Sequence, residues 1–410
     1  MRIWIKLFLG AFAGIIIARV LPQDSGQIAS IMDWLEQLAL RIGRYAVIPL
    51  LVFSFSIAVY NLRQDGRFWP LVFRSFLFIA GVAAFVITAG VVVVLFFSPH
   101  QIPIHFEEEL GGVSLDTAGN ILALFPPNML QALTGDTLYL FPVCVFAFFL
   151  GVGLSYDRGF AKPVISLIDS LSRIFYYINV FFSEIMWLLM IVLAAYWAQR
   201  FRTVLRMEVY NDFIIFLTVF SMVLGFVILP LFLLLLRPKV NPWILLYGNF
   251  AAAIAAWFSG DINFTLPVLL RCGKENFGVR RRANTVTHAL FNTFGRAGSA
   301  MTAAAAFVLI IKSYSGLDIT LTNLFFIGLR AFIISFFLAG HPGNGAYTAL
   351  ALICAGYGQS YESGYLLLKP LAFYLITIGT FLDTVIASFS SFVIARLSGL
   401  QEDRISRHFI

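Results

Sequence analysis

The sequence predicts an all-α polytopic membrane protein, with eight transmembrane helices plus two re-entrant helical hairpins. Three observations carry this expectation. Of 410 residues, 60% are hydrophobic and only 12% charged, at a mean hydropathy of +0.89. Apolar runs recur at the length of a bilayer crossing, about 20 residues. In the second half of the chain two such runs are broken by short polar or Gly/Pro-rich segments instead of long loops.

The composition also excludes several functions. Forty-four phenylalanines argue against disorder, and a soluble nucleic-acid module does not fit such hydropathy. The 28 basic residues against 21 acidic ones, a net charge of +7, read instead as cytoplasmic membrane-flanking charge. Cys144, Cys272 and Cys354 show no metal spacing and lie in or beside apolar runs, so neither a disulfide framework nor a zinc site is expected. There is no P-loop, metalloprotease pair or nucleophile elbow, and no enzyme is expected.

Six apolar runs fill the first 236 residues: Ile3–Leu21, Val47–Val59, Pro70–Phe97, Met129–Leu154, Val164–Trp197 and Phe213–Leu236. The first lacks a small-residue cleavage site and reads as a membrane helix, not a leader. Arg63, Arg67 and Arg74 flank one loop, whereas Ser98–Gly119 carries Glu107, Glu108, Glu109 and Asp116 without a cation. The first side is therefore expected inside and the second outside, with both termini cytoplasmic in a plasma or inner membrane. Arg158, Lys162, Arg237, Lys239, Arg271, Lys274 and Arg280–Arg282 agree; Arg200, Arg202 and Arg206 fall on the outer side and disagree.

The second half differs. Pro242–Phe258 and Leu266–Leu270 are separated by Ser259-Gly260-Asp261-Ile262-Asn263, and Leu324–Ala339 is separated from Ala346–Ala355 by Gly340-His341-Pro342-Gly343-Asn344-Gly345. Irregular backbone at membrane depth is tolerated only where protein or a cavity surrounds it. Paired interruptions of this kind point to the binding site of a transporter. Two hairpins are expected, with tips facing each other near midplane. Ala283–Ile311 and Tyr361–Leu397 supply the last two spans.

This order of elements resembles the dicarboxylate/amino-acid:cation symporter family, the glutamate-transporter fold, over nearly the whole chain. Lys6-Leu7-Phe8-Leu9-Gly10 to Gly14 and Ile48-Pro49-Leu50-Leu51-Val52-Phe53 are similar to its opening helices. Phe141-Pro142-Val143-Cys144-Val145-Phe146-Ala147 with Gly151-Val152-Gly153-Leu154 is similar to its fourth. Thr265-Leu266-Pro267-Val268, Arg271 and Glu275-Asn276-Phe277-Gly278 resemble the exit of its first hairpin, and Ala339-Gly340-His341-Pro342-Gly343 the tip of its second. Leu382-Asp383 and Val393-Ile394-Ala395-Arg396 resemble its last helix.

The resemblance implies inverted repeats, an elevator-type transporter and a homotrimer in the bilayer, carrying a small-molecule substrate with no nucleic-acid partner and no cofactor. The implied layout places scaffold helices 1–2 in residues 1–66, transport helix 3 in 67–98, an external loop in 99–119 and scaffold helices 4–5 in 120–205. Helix 6 then takes 206–241, hairpin 1 242–282, helix 7 283–314, hairpin 2 315–360, and helix 8 with a cytoplasmic tail 361–410. Asp261, Asn263, Thr265, Arg296, Ser299, His341, Gly343 and Asp383 become the implied substrate residues, with Gly340, Pro342 and Gly345 at the gate. Asp383 matches the group for a substrate ammonium, and Arg296 stands in for a carboxylate-binding arginine whose usual position is Ile386.

Departures from the family pattern bear on coupling. Its serine-rich hairpin tip is replaced by Asp261, Ile262 and Asn263. Asp261 or Asn263 has a second use as a helix N-cap. Its Asn-Met-Asp-Gly-Thr motif reads Gly295-Arg296-Ala297-Gly298-Ser299, so a sodium-ligating carboxylate becomes Ala297. Hydroxyl ligands in the third span fall on Ile79, Val82 and Ala83. A monovalent hard cation needs oxygen ligands, and only backbone carbonyls at Gly295 and near Ser335 remain. Sodium is the coupling ion implied by the family; a proton carried by Asp261 or Asp383, an uncoupled carrier, and a non-transporting scaffold or sensor are the alternatives. Asp261 and Arg296 are expected to meet in at least one state, or to hold a substrate carboxylate between them. Arg330 and Lys369 read as snorkelling charges, Glu184 as a cap or subunit contact, and Asn263-Phe264-Thr265 as an accidental sequon.

Overall fold

A computed structural model describes residues 2–22, 26–96, 128–134, 139–156, 158–235, 241–315, 320–340, 345–358, 361–402 and 409. The described residues are almost wholly helical, apart from one bridge between Val279 and Gln401. Helix α1 spans Ile3–Val20, α2 Gly26–Arg44, α3 Val47–Gln64 and α4 Phe68–Phe96. After a single turn at Gln131–Thr134 come α5 (Phe141–Leu154) and α6 (Arg158–Leu205). At 48 residues α6 extends about 72 Å, well beyond the roughly 30 Å of a hydrocarbon core. The sixth apolar run forms α7 (Asn211–Val223) and α8 (Leu229–Leu235), joined by a π-helical turn over Leu224–Ile228. Pro230 has no N–H to return to Phe226, and the wider turn absorbs that missing bond.

The interrupted runs form antiparallel helix pairs. Helices α9 (Pro242–Ser259) and α10 (Ile262–Glu275) are joined by two residues, Gly260 and Asp261. Gly260 has φ +59°, a left-handed end that suits glycine, and its N–H closes α9 on the Ala256 carbonyl. The seventh run breaks into α11 (Arg281–Phe294) and α12 (Ala297–Ser315), with Gly295 and Arg296 between them. Helix α13 (Leu321–Phe337) tightens to a 3₁₀ turn at Leu338–Gly340, and α14 is Ala346–Tyr357. A 3₁₀ segment at Gly364–Leu371 leads into α15, Ala372–Leu397. The second expected tip, His341 to Asn344, and the acidic external loop lie outside the described residues.

Among the described residues nine helical stretches are long and apolar enough to cross a membrane. One, Gln27–Gln64, joins α2 and α3 into a single candidate span. The sequence reading recognised only its Val47–Val59 portion, because Asp33, Glu36, Arg41 and Arg44 interrupt the earlier part. Two of those charges are met by partners from distant helices: Asp33 by Arg200 at 2.9 Å and Arg44 by Asp261 at 3.1 Å. The same contacts account for Arg200 and Arg202, which disagree with the loop-charge pattern. Arg200 pairs with α2, and Arg202 donates to the Ala18 carbonyl in the last turn of α1.

Packing uses glycine where helices approach most closely. Gly10 and Gly14, one turn apart on α1, face the backbone of α6; a methyl group on either would collide with the Trp187 or Ile191 carbonyl. Gly298 on α12 abuts α15 just as tightly, 2.8 Å from the Asp383 nitrogen and 2.9 Å from the Gly379 carbonyl for an added Cβ. Charged side chains tie α10 and α11 to earlier helices. Glu184 of α6 accepts from Arg271 at 2.8 Å and also pairs with Lys6, while Arg271 reaches Glu275 at 3.3 Å. Glu184 thus bridges α1 and α10 within the chain, and Arg330 donates to the Gly356 carbonyl across α13 and α14 at 2.6 Å. Arg281 meets Asp169 at 2.7 Å and Arg282 meets Asp65.

These contacts set a contrast that thermal unfolding in detergent measures. Gly298→Val should lower the midpoint by an amount corresponding to about 3 kcal/mol, because its branches meet backbone that cannot yield. Gly81→Ala, with nothing within 4 Å, should be neutral or stabilise by up to about 1 kcal/mol.

Candidate functional site

Two helices begin in the interior, α10 at the hairpin tip and α12 after the Gly295–Arg296 break, and each exposes amides that need acceptors. Asp261 supplies one set: its carboxylate accepts from Asn263 N at 2.7 Å and Phe264 N at 3.1 Å. The capping use of this residue is therefore realised, and Asn263 is not the cap. Asp383 supplies the other from α15. Its Oδ1 accepts from Gly298 N at 2.6 Å and Ser299 N at 3.2 Å, and its Oδ2 from the Ser299 hydroxyl at 2.6 Å. Fully buried, Asp383 thus clamps the start of α12 to α15.

Two further sequence-predicted residues, Asn263 and Thr265, lie at the first tip. Asn263 Oδ1 accepts from Asn292 of α11 at 2.9 Å. Thr265 donates to the Ile262 carbonyl at 2.8 Å and lies 3.5 Å from Thr384 of α15. Thr380, which sequence reasoning missed, donates to the Gly260 carbonyl at 3.0 Å and anchors the turn. Gly295 sits in the helix break, and buried Ser335 lies inside α13 with its hydroxyl on the Phe332 carbonyl. Gly340 ends the 3₁₀ turn and Gly345 precedes α14. His341, Pro342 and Gly343 lie outside the described residues.

Arg296 is 2% exposed, and its Nε has no hydrogen-bond partner among the described residues. In this arrangement the expected contact with Asp261 is not made. Asp383 and, more weakly, Asp261 lie within electrostatic reach of Arg296, and the Asp261 Oδ2 is 3.1 Å from Arg44. The reason is geometric: the Asp261 carboxylate is fixed by capping α10, and α2 presents Arg44 beside it. The hint available in the sequence was Arg44 inside a 38-residue stretch that remains apolar enough overall to cross a membrane despite Asp33, Glu36 and Arg41.

These groups border a cavity of about 340 Å³. Glu36, Leu40 and Arg44 of α2 and Tyr196 and Trp197 of α6 form one wall. The hairpin tip from Phe258 to Ile262, Arg296, and Phe373 to Thr380 of α15 form the other. A volume of this size is at the small end of the range for a ligand pocket, about 300–1,000 Å³. Among the described residues no cluster of His, Cys, Asp and Glu is arranged to hold a metal ion.

Nine helical stretches long and apolar enough to cross a membrane among the described residues, with helix pairs that reverse within the protein, are the arrangement of a multi-pass membrane protein. The family follows from the sequence profile of the sodium:dicarboxylate symporter family, which matches residues 1–397; this chain belongs to that family. Among curated relatives, the excitatory amino acid transporter of Caenorhabditis elegans is 29% identical over 117 residues, 28% of this chain and 23% of that protein. Excitatory amino acid transporter 1 of Rattus norvegicus is 28% identical over 127 residues, 31% of this chain and 23% of that one. The proton/sodium-glutamate symport protein of Bacillus subtilis is 25% identical over 186 residues, 42% of each. The matches thus span between about a quarter and two fifths of the length of these relatives.

The Arg44–Asp261 pair generates a test. Asp261→Asn keeps a capping side chain, whereas Asp261→Ala loses the cap as well, a further cost of about 1 kcal/mol. Arg44→Gln alone leaves a carboxylate unpaired and should destabilise by about 2–4 kcal/mol. Adding Asp261→Asn to Arg44→Gln should restore much of that loss, read as unfolding midpoints in lipid nanodiscs.

Proposed function

We propose that this protein is a secondary transporter that moves a small organic anion or amino acid across a membrane by an elevator mechanism. The observation that carries this reading is Arg296, a nearly inaccessible guanidinium on a helix break that borders the cavity at the hairpin tip. An ionised side chain in such a place is costly unless an anion meets it, and a permeant carboxylate would serve. In this reading α1, α2–α3, α5 and α6 form a trimeric scaffold. The moving unit comprises α4, α7–α8, α11–α12, α15 and the two helix pairs. The second pair, with Gly340 and Gly345 flanking the gate, would control access.

The interior helix ends assign roles that differ from simple transfer of the family pattern. Asp383 already accepts three hydrogen bonds at the start of α12, so its first role is to hold the break together. Binding a substrate ammonium would be a second duty for its remaining lone pairs. Arg296 takes the carboxylate. Arg296→Ala should reduce transport by about tenfold or more, the value of a lost charge-assisted hydrogen bond.

A second reading, weaker sodium dependence with protons or no ion as the coupled species, is favoured by hydrocarbon at the positions of the family's oxygen ligands. Ile79, Val82, Ala83 and Ala297 are all buried and apolar. Only carbonyls such as Gly295 would be left to ligate a cation. Reconstituted protein should therefore accumulate its solute when sodium is replaced by choline, with a rate that varies with pH if protons are coupled. Steep, saturable sodium dependence would restore the family's usual coupling. Absence of any solute movement would instead favour a non-transporting membrane scaffold or sensor.

A further inference from the structure

At the end of the bundle where α15 stops, the chain folds back across the base of the first helix pair. Gly399, at φ +63°, reverses its direction, and Leu400 N closes α15 on the Ala395 carbonyl at 2.8 Å. Arg74 of α4 holds the bend by donating to the Leu397 carbonyl and the Ser398 hydroxyl, each at 3.0 Å. The chain then runs antiparallel to the turn between α10 and α11. Arg280 N donates to the Leu400 carbonyl and Glu402 N to the Gly278 carbonyl, both at 2.9 Å, bracketing the Val279–Gln401 bridge. Arg280 also reaches the Glu402 carboxylate at 3.5 Å.

Farther along, Phe409 is only 5% exposed, and its ring stacks on Tyr247 of α9 with centroids 6.1 Å apart. Its socket exists because residue 248 is glycine: a methyl group there would stand 3.1 Å from the Phe409 ring and 2.6 Å from that of Phe277, in the turn after α10. Asn276, from the same turn, donates to the Gly248 carbonyl at 2.7 Å and joins α10 to α9 beside the socket. One turn deeper in the seam, the buried Cys272 thiol of α10 meets the Ala252 backbone of α9. Asn249, next in the chain to Gly248, is 2% exposed, and neither its amide oxygen nor its nitrogen has a partner among the described residues. A buried amide without partners costs stability that water would restore. The closed seam is therefore biased toward opening, and burial of the Phe409 ring opposes that bias.

We propose that Leu400–Glu402 and Phe409 form a releasable strap that keeps water out of the seam between α9 and α10 at this end of the bundle. Seated, the strap ties α9, the α10–α11 turn and α4 to the end of α15. Released, it opens Cys272 and Asn249 to solvent. The same helix pair carries Asp261 at its far end, so the strap acts on the base of the element whose tip borders the cavity. Its action does not depend on which solute or ion the protein carries.

The test follows N-ethylmaleimide labelling of the native Cys272 thiol in the full chain in lipid nanodiscs, read on its peptide by mass spectrometry. Cys144→Ala and Cys354→Ala remove the other cysteines. The labelling rate tracks the population of the open seam. Phe409→Ala should raise it about tenfold or more, the shift in an opening equilibrium for one lost buried aromatic ring. Phe409→Leu should give a smaller rise, and Phe8→Ala, on an exposed face of α1, none. A covalent lock checks the opposite direction. Val279 and Gln401 are the non-hydrogen-bonded pair of the bridge, a geometry that sets Cα atoms about 4.5 Å apart, within disulfide reach. The disulfide formed in the Val279→Cys/Gln401→Cys double variant should slow labelling of Cys272, and reduction before labelling should return the faster rate. Unchanged labelling in Phe409→Ala, or a disulfide without effect on Cys272, would overturn the strap. If Phe409→Ala does not fold, the disulfide arm decides alone.

Discussion

A helix that begins inside a protein must find acceptors for its first amides, and this requirement organises the centre of the molecule. Each interior start found among the described residues around the first tip is met by an aspartate. Asp261 serves α10 from its own N-cap position, and Asp383 serves α12 from α15. Both carboxylates are thereby fixed in place, and fixed charges in a poorly solvated region call for cations nearby. Arg44 and Arg296 answer that need from two different directions. The charged cavity follows from backbone hydrogen bonding as much as from any demand of a ligand.

The same logic changes how the positive ends of the interior helices are used. In a transporter with interrupted helices such ends commonly face an anionic group of the solute. Here they are occupied by the chain's own carboxylates, so a guanidinium is the group left to attract an anion. At the tip itself the carboxylate is Asp261, between Gly260 and Ile262. Thr380 on the Gly260 carbonyl and Asn292 on Asn263 then hold the tip against α15 and α11 without further charge.

Much of this was legible in the sequence. The interruption at Ser259–Asn263 between apolar runs gave the position of the first turn, and the alternatives for Asp261 already included the cap it forms. The seventh run reads as one span from Ala283 to Ile311, and its break at Gly295 and Arg296 falls on the motif that Gly295 to Ser299 resembles. What escaped notice lay in residues 22–46, where five charges made a helix resemble a loop. Hydropathy weighs each charge as if it faced solvent or lipid alone, whereas Asp33 and Arg44 are met by Arg200 and Asp261 from segments more than 160 residues away. The partner that Asp261 takes in this arrangement, Arg44, was hidden for the same reason: it comes from α2, 217 residues away.

The clamp between α12 and α15 has a consequence for how this chain can drift over generations. Gly298 is small because Leu382 and Asp383 press on it, Gly379 is small because Ser299 does, and Ser299 and Asp383 are held to each other by a 2.6 Å bond. A change at any one of the four bears on at least one of the others, so viable substitutions should arrive in correlated sets. Descendants that vary freely along the lipid-facing sides of these helices would still inherit this quartet nearly as one heritable character.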